Sequence, residues 1–146
     1  MKYRTAPILN IVDPGAAGTR VVDINLESAL SAIDIRWKIS KSEPDMAAPD
    51  VADIERIELV DGSERLYSMT GYEAQALNYF NRPGRQMSHG QHLDVSSQES
   101  HYIIDFGRRL WDPELAFDPK RHVNPQLRIT FDSTISDPAP TGGSWR

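Results

Sequence analysis

Cysteine is absent from the 146 residues, so neither disulfides nor thiolate metal sites contribute to stability. Long apolar runs are missing too. None approaches the roughly 20 residues that a membrane-crossing helix requires, and no apolar secretion core follows Met1-Lys2-Tyr3-Arg4. Lysine and arginine form no runs, and the net charge is −5. Proteins that wrap nucleic acid need basic patches to neutralise phosphates, so direct nucleic-acid binding is not expected. No glycine-flanked nucleophilic serine, P-loop or dinucleotide-type glycine loop occurs either. What is present is the balance of one globular domain, 39% hydrophobic and 25% charged, long enough to bury a core.

The strongest positive signal has a period of two. In Ile33-Asp34-Ile35-Arg36-Trp37-Lys38-Ile39 apolar and charged residues alternate without exception. Successive strand side chains point to opposite faces, so this segment has one dry face and one wet face. Tyr102, Ile104 and Phe106 repeat the pattern, as do Leu127, Ile129 and Phe131, while Val22, Ile24 and Leu26 mark an earlier strand. Half-buried strands of this kind predict antiparallel sheets packed face to face.

Between them, Ile57-Glu58-Leu59-Val60 and Leu66-Tyr67-Ser68-Met69 flank Asp61-Gly62, a hairpin signal because glycine accepts the positive φ of a tight turn. One helix interrupts the strands. Thr70-Gly71-Tyr72-Glu73 has capping-box spacing, Tyr72, Ala76, Tyr79 and Phe80 share one helical face, and Arg82-Pro83-Gly84 ends it. Residues 41–50 and 81–100 lack periodicity and read as loops, the second long enough to contact a neighbour. Asp137 to Ser144, rich in proline and glycine, reads as a linker or frayed end.

Few residues ask to be read as chemistry. His89 and His92 sit three apart with no further ligands patterned around them, so they are not expected to hold a metal. Asp112, Glu114 and Asp118 cluster as an acid/base pair or calcium site would require. Asp112-Pro113 and Asp118-Pro119 are also what turns select, and the same pair recurs at Asp13-Pro14 and Asp137-Pro138; the turn reading is preferred. Trp37 belongs to the core by its alternation, Trp111 fits either core or surface, and Trp145 falls in the tail. No cofactor, metal site or catalytic residue is assigned, and the chain is not expected to be an enzyme.

Two blocks carry a resemblance. Ile57 to Ser63 continuing through Leu66 to Phe80, and Phe106 to Arg121 continuing through Asn124 to Thr130, closely resemble stretches of double jelly-roll major capsid proteins, in particular those of marine tailless phages with an internal membrane, the corticovirus type. The blocks cover about half the chain in the expected order, and the match is to the N-terminal roll. The resemblance implies an all-β, eight-stranded jelly-roll β-sandwich of the viral capsid type with one short inserted helix between strands. It divides the chain into an N-terminal arm or first strand (1–12), the sandwich (13–136) and a C-terminal linker or tail (137–146), with a second jelly roll absent. A two-roll subunit would need roughly twice this length.

The resemblance further implies a virion location and self-association into homotrimers that tile an icosahedral lattice. An underlying viral membrane is a further partner, although Lys2 and Arg4 alone give it little affinity. Arg108, Arg109, Trp111, Asp112, Lys120 and Arg121 are expected to form a structured element near a subunit contact, because dense turn chemistry meets charge of both signs there. The alternative is a β-sandwich binding module that recognises carbohydrate through exposed aromatics. A small β-rich hydrolase would need a convergent polar pocket that the sequence does not announce.

Overall fold

The computed structural model describes residues 4–9, 13, 15–40, 50–81, 97–110, 112–135 and 141–145. Seven strands lie among them: β1 (Ala17–Asp23), β2 (Ala32–Ser40), β3 (Ile54–Asp61), β4 (Glu64–Met69), β5 (Ser97–Asp105), β6 (Pro125–Asp132) and β7 (Gly142–Trp145). One helix, α1 (Gly71–Asn81), stands between β4 and β5. One sheet has the order β1-β6-β3-β4 and the other β5-β2-β7.

The pairing is nested. β1 runs antiparallel to β6, from Ala17 opposite Asp132 to Asp23 opposite Gln126. Inside it, β2 pairs with β5, from Ala32 opposite Asp105 to Ser40 opposite Ser97. Inside that, β3 pairs with β4. The first and third pairs lie in one sheet and the second in the other, so a single long antiparallel ribbon wraps across the sandwich. That wrapping makes this a jelly roll.

Eight strands were expected, and seven lie among the described residues. The ribbon closes early, because β3 passes into β4 through Gly62 and Ser63 alone. Gly62 takes φ +61°, and glycine at the first of two loop residues is the type II′ arrangement that matches strand twist.

The period-two pattern translates directly into burial. Ile33, Ile35, Trp37 and Ile39 of β2 are buried, while Asp34 and Lys38 are exposed. β6 alternates likewise, burying Leu127, Ile129 and Phe131. Between the sheets the rings of Trp37, Phe131 and Trp145 meet, with centroids 4.3 Å apart for the tryptophans and 5.8 and 5.4 Å to Phe131. Such aromatic pairs add about 0.5–1.5 kcal/mol beyond the area they bury.

Trp145 corrects one expectation. The tail around it reads as a linker, yet Gly142–Trp145 is a strand on β2, and Trp145, opposite Trp37, is 1% exposed. Thr141 anchors the entry, its amide and hydroxyl both donating to the Ser40 carbonyl at 2.7 and 3.0 Å. A free sheet edge and a large ring beneath it override the weak strand propensity of Gly-Gly-Ser. β5 is a second correction: it starts at Ser97, within the stretch read as loop, because its polar residues register against β2.

The helix starts as its capping box predicts. Thr70 Oγ1 accepts from the Glu73 amide at 3.3 Å, and the Glu73 carboxylate accepts from the Thr70 amide at 2.9 Å. The Thr70 amide first, and then the Thr70 hydroxyl, which donates to the same carboxylate at 3.0 Å, hold the Glu73 carboxyl below its usual range. The predicted aromatic face of α1 behaves differently and is treated below.

Candidate assembly surface

The connection from β5 to β6 holds most of the residues singled out in the sequence. It begins at Gly107, whose φ is +104° and whose missing Cβ would lie 2.8 Å from the Asp112 Cβ; no other residue fits there. Asp112 is buried. Its carboxylate accepts from Arg108 Nε at 2.9 Å and from the amides of Arg108 and Glu114 at 3.3 and 3.1 Å. Arg108 Nη2 reaches on to Glu114 at 2.9 Å. The Arg108 guanidinium first, and then the backbone amides, bring the Asp112 carboxyl down to about 2.

Further along, Phe117 bridges to Leu30 and stacks between Phe106 at 5.0 Å and His122 at 4.6 Å. Asp118 caps a short 3-10 turn at Pro119–Arg121 by accepting from the Lys120 amide at 3.1 Å. Asp61, at the end of β3, closes the connection. It accepts from the amides of Val123 and Asn124 at 3.0 and 2.7 Å and pairs with His122 Nδ1 at 3.1 Å. The Asn124 amide is the main cause of its lowered carboxyl pKa.

Asp112 and Asp118 therefore do the turn work expected of Asp-Pro pairs, and Asp13 does the same by accepting from the Gly15 amide at 3.0 Å. Of the six residues expected near a contact, the structure joins Arg108 to Asp112. Arg109, Lys120 and Arg121 are exposed on the same connection, with no ion pair among the described residues. Trp111, like His89 and His92, lies outside the described residues.

Two further features escaped the sequence reading. Beneath α1, Asp50, Asp53 and Ser100 are buried, and the Ser100 hydroxyl donates to Asp50. Burial first, then the Asp50 charge, push the neighbouring Tyr102 hydroxyl well above its ordinary pKa. Nothing in the spacing of Asp50 and Ser100 announces that they meet.

The second feature is the helix face itself. α1 buries Gly71, Ala74 and Asn78, while Tyr72, Tyr79 and Phe80 stand 55%, 62% and 76% exposed. The aromatic face found by periodicity is the outer one.

Two other surface features involve described residues. On the outer face of β2 and β5, His101 sits between Asp34 at 3.5 Å and Glu99 at 3.3 Å, with Arg36 on Asp34 at 3.2 Å. A concavity lined by Asp13, Thr19, Arg20, Phe131 and Trp145 holds about 180 Å³, below the roughly 300–1,000 Å³ of small-molecule sites.

No protein-family model matches the chain, and no curated protein sequence does. Among solved structures it is similar to the crystal structure of the STIV MCP, a viral major capsid protein, with a TM-score of 0.66 and 18% identity. The superposition covers 93% of this chain and 44% of that one, so the chain spans less than half the length of the protein it matches. At that identity the likeness shows the fold, a jelly-roll β-sandwich also found in a capsid protein.

Proposed function

We propose that this chain is a viral capsid subunit whose work is self-assembly rather than catalysis. The observation that carries the reading is the fold match to a major capsid protein over 93% of the chain, supported by the nested ribbon that makes the jelly roll. In its finer form, the subunit forms homotrimers that tile an icosahedral shell, in the manner of the membrane-containing tailless phages its sequence blocks resemble. The β5–β6 connection serves as a contact element. Its backbone is clamped by Asp112, Asp118 and Asp61, and Arg109, Lys120 and Arg121, exposed and without an ion pair among the described residues, meet acidic groups on a neighbour.

The test is solution mass by light scattering over a wide concentration range, with electron microscopy of any large species. Trimers or closed particles are expected, and Arg109→Glu should weaken association while leaving the circular dichroism unchanged. A monomer at every concentration would sink the reading. Carbohydrate recognition, the alternative, would use exposed aromatics as a flat stacking platform. Tyr79 and Phe80 instead meet edge-on at 80°, which disfavours it.

A further inference from the structure

We propose that the outer face of α1 is a two-fold contact on which the same face of a second copy of this chain seats; the inference rests on the self-assembly reading. Tyr72, Ala76, Tyr79 and Phe80 follow one another at helical spacing and form a continuous stripe. The stripe carries no charge, and the helix has no lysine or arginine anywhere. That composition selects the occupant. Nucleic acid and anionic membranes require cations opposite their phosphates, and the net charge of −5 adds repulsion. The complement must be uncharged and apolar.

The chain carries such a surface itself. Among the described residues, the other exposed large hydrophobics are scattered: Ile8 ahead of β1, Val21 on β1, Leu66 on β4, and Leu115, Val123 and Ile135 in connections. The best partner for the α1 stripe is therefore the stripe of another copy, which makes the contact isologous. Ala76 sits between the aromatics and is itself exposed, so two helices can approach closely at that point.

Area sets the strength. Three aromatics at these exposures offer on the order of 400 Å² per copy, so the pair buries about 800 Å², short of the roughly 1,200 Å² where stable interfaces begin. The contact is weak alone and is made at high concentration or reinforced within a lattice. Because a cyclic trimer has no two-fold axis, it joins capsomers rather than building them.

The absence of cysteine allows a clean test. Ala76→Cys places one thiol at the centre of the stripe, and Ser63→Cys places one in the exposed β3–β4 turn as a control. Under copper-catalysed oxidation of concentrated protein, the Ala76→Cys chain should form disulfide dimers roughly tenfold faster than the control. Adding Phe80→Ser to Ala76→Cys should erase that advantage, with unchanged circular dichroism and unchanged small-oligomer mass by light scattering. Equal rates for the two thiols would overturn the contact, and if light scattering still shows trimers the assembly reading survives it. Flotation with neutral phosphatidylcholine vesicles, or oligosaccharide binding, that Phe80→Ser abolishes would likewise overturn the second copy as occupant.

Discussion

Two groups of three aromatic side chains occupy opposite situations in this molecule. Trp37, Phe131 and Trp145 close the space between the sheets, at most 4% exposed, and their rings are mutually in contact. Tyr72, Tyr79 and Phe80 stand on the outside of α1 at 55–76% exposure. Aromatic content is the same, so hydrophobicity alone does not decide burial. What decides it is the neighbour each backbone offers. The strands hold their rings toward a second sheet about 10 Å away, a gap that only large side chains fill. The helix instead lies against β5 and the 3-10 turn at Asp50–Asp53, where space admits only Gly71, Ala74 and Asn78. The buried group stabilises the fold, and the exposed group is free to do something else.

The largest effect is expected at Trp145→Ala. Truncating a fully buried tryptophan costs about 3–5 kcal/mol, and here it also releases β7 from the β2 edge. Urea denaturation should show a lower midpoint, and amide exchange should rise at Lys38–Ser40, which β7 covers. A loss below about 1 kcal/mol would show that the tail is the frayed end its composition indicates.

Gly71→Ala examines the crowded side of α1. The added Cβ would lie 2.7 Å from the Val51 carbonyl and 2.9 Å from that of Ile54, backbone atoms that cannot swing aside. Alanine ordinarily gains roughly 1 kcal/mol over glycine in a helix, but overpacking here should reverse the sign to a loss of about 1–3 kcal/mol. A stabilised variant would mean that α1 has room beneath it, and the contrast between the two aromatic groups would lose its cause.

The sequence is most legible where one residue's periodicity and its burial report the same thing. Ile33 to Ile39 and Leu127 to Phe131 alternate because both strands are half-buried in a two-layer sandwich, and their faces can be read without a structure. The start of α1 is legible for a local reason, since Thr70 and Glu73 satisfy each other within one turn. The orientation of α1 is not legible. A period of 3.6 finds a stripe but cannot tell whether the aromatic stripe or the glycine-alanine-asparagine stripe faces inward; that depends on how close β5 and the Val51 and Ile54 carbonyls come. Trp145 fails for the complementary reason, because Gly142, Gly143 and Ser144 become a strand only when Ser40 offers an edge. Of the β5–β6 connection, the Asp-Pro turns were readable from type and spacing, while the closure of Asp61 onto Asn124 spans residues distant in sequence and was not.

Smaller effects separate local devices from the aromatic contrast. Thr70→Ala should remove the reciprocal cap and cost about 1 kcal/mol, read as a shifted urea midpoint with the strand signal intact. Asp112 acts through pH. Its folded carboxyl lies at about 2 against an ordinary 3.8, so it contributes stability that is fully present above the ordinary carboxylate range and lost as pH falls toward 2. Asp112→Asn should flatten that part of the acid limb of stability measured by urea unfolding. An unchanged limb would mean that Arg108 and the loop amides do not hold the carboxylate in solution.

The smallest change in stability is expected at Phe80→Ser, and it bears most directly on the comparison. Phe80 is 76% exposed and touches Tyr79 edge-on at 5.7 Å. Removing it uncovers no core atom, so the unfolding free energy of dilute protein should move by no more than about 0.5 kcal/mol. Truncating a buried ring instead, Phe131→Ala, should cost about 3–5 kcal/mol, although phenylalanine is lost in both. Measuring both variants at low and high protein concentration sharpens the contrast. The Phe131→Ala loss should be independent of concentration, because it belongs to the fold of one chain. The Phe80→Ser loss should emerge only as concentration rises, because stabilisation by a partner grows with the partner's concentration. A large, concentration-independent loss at Phe80 would place that ring in the core of its own chain, and the two groups of aromatics would then differ in degree rather than in role.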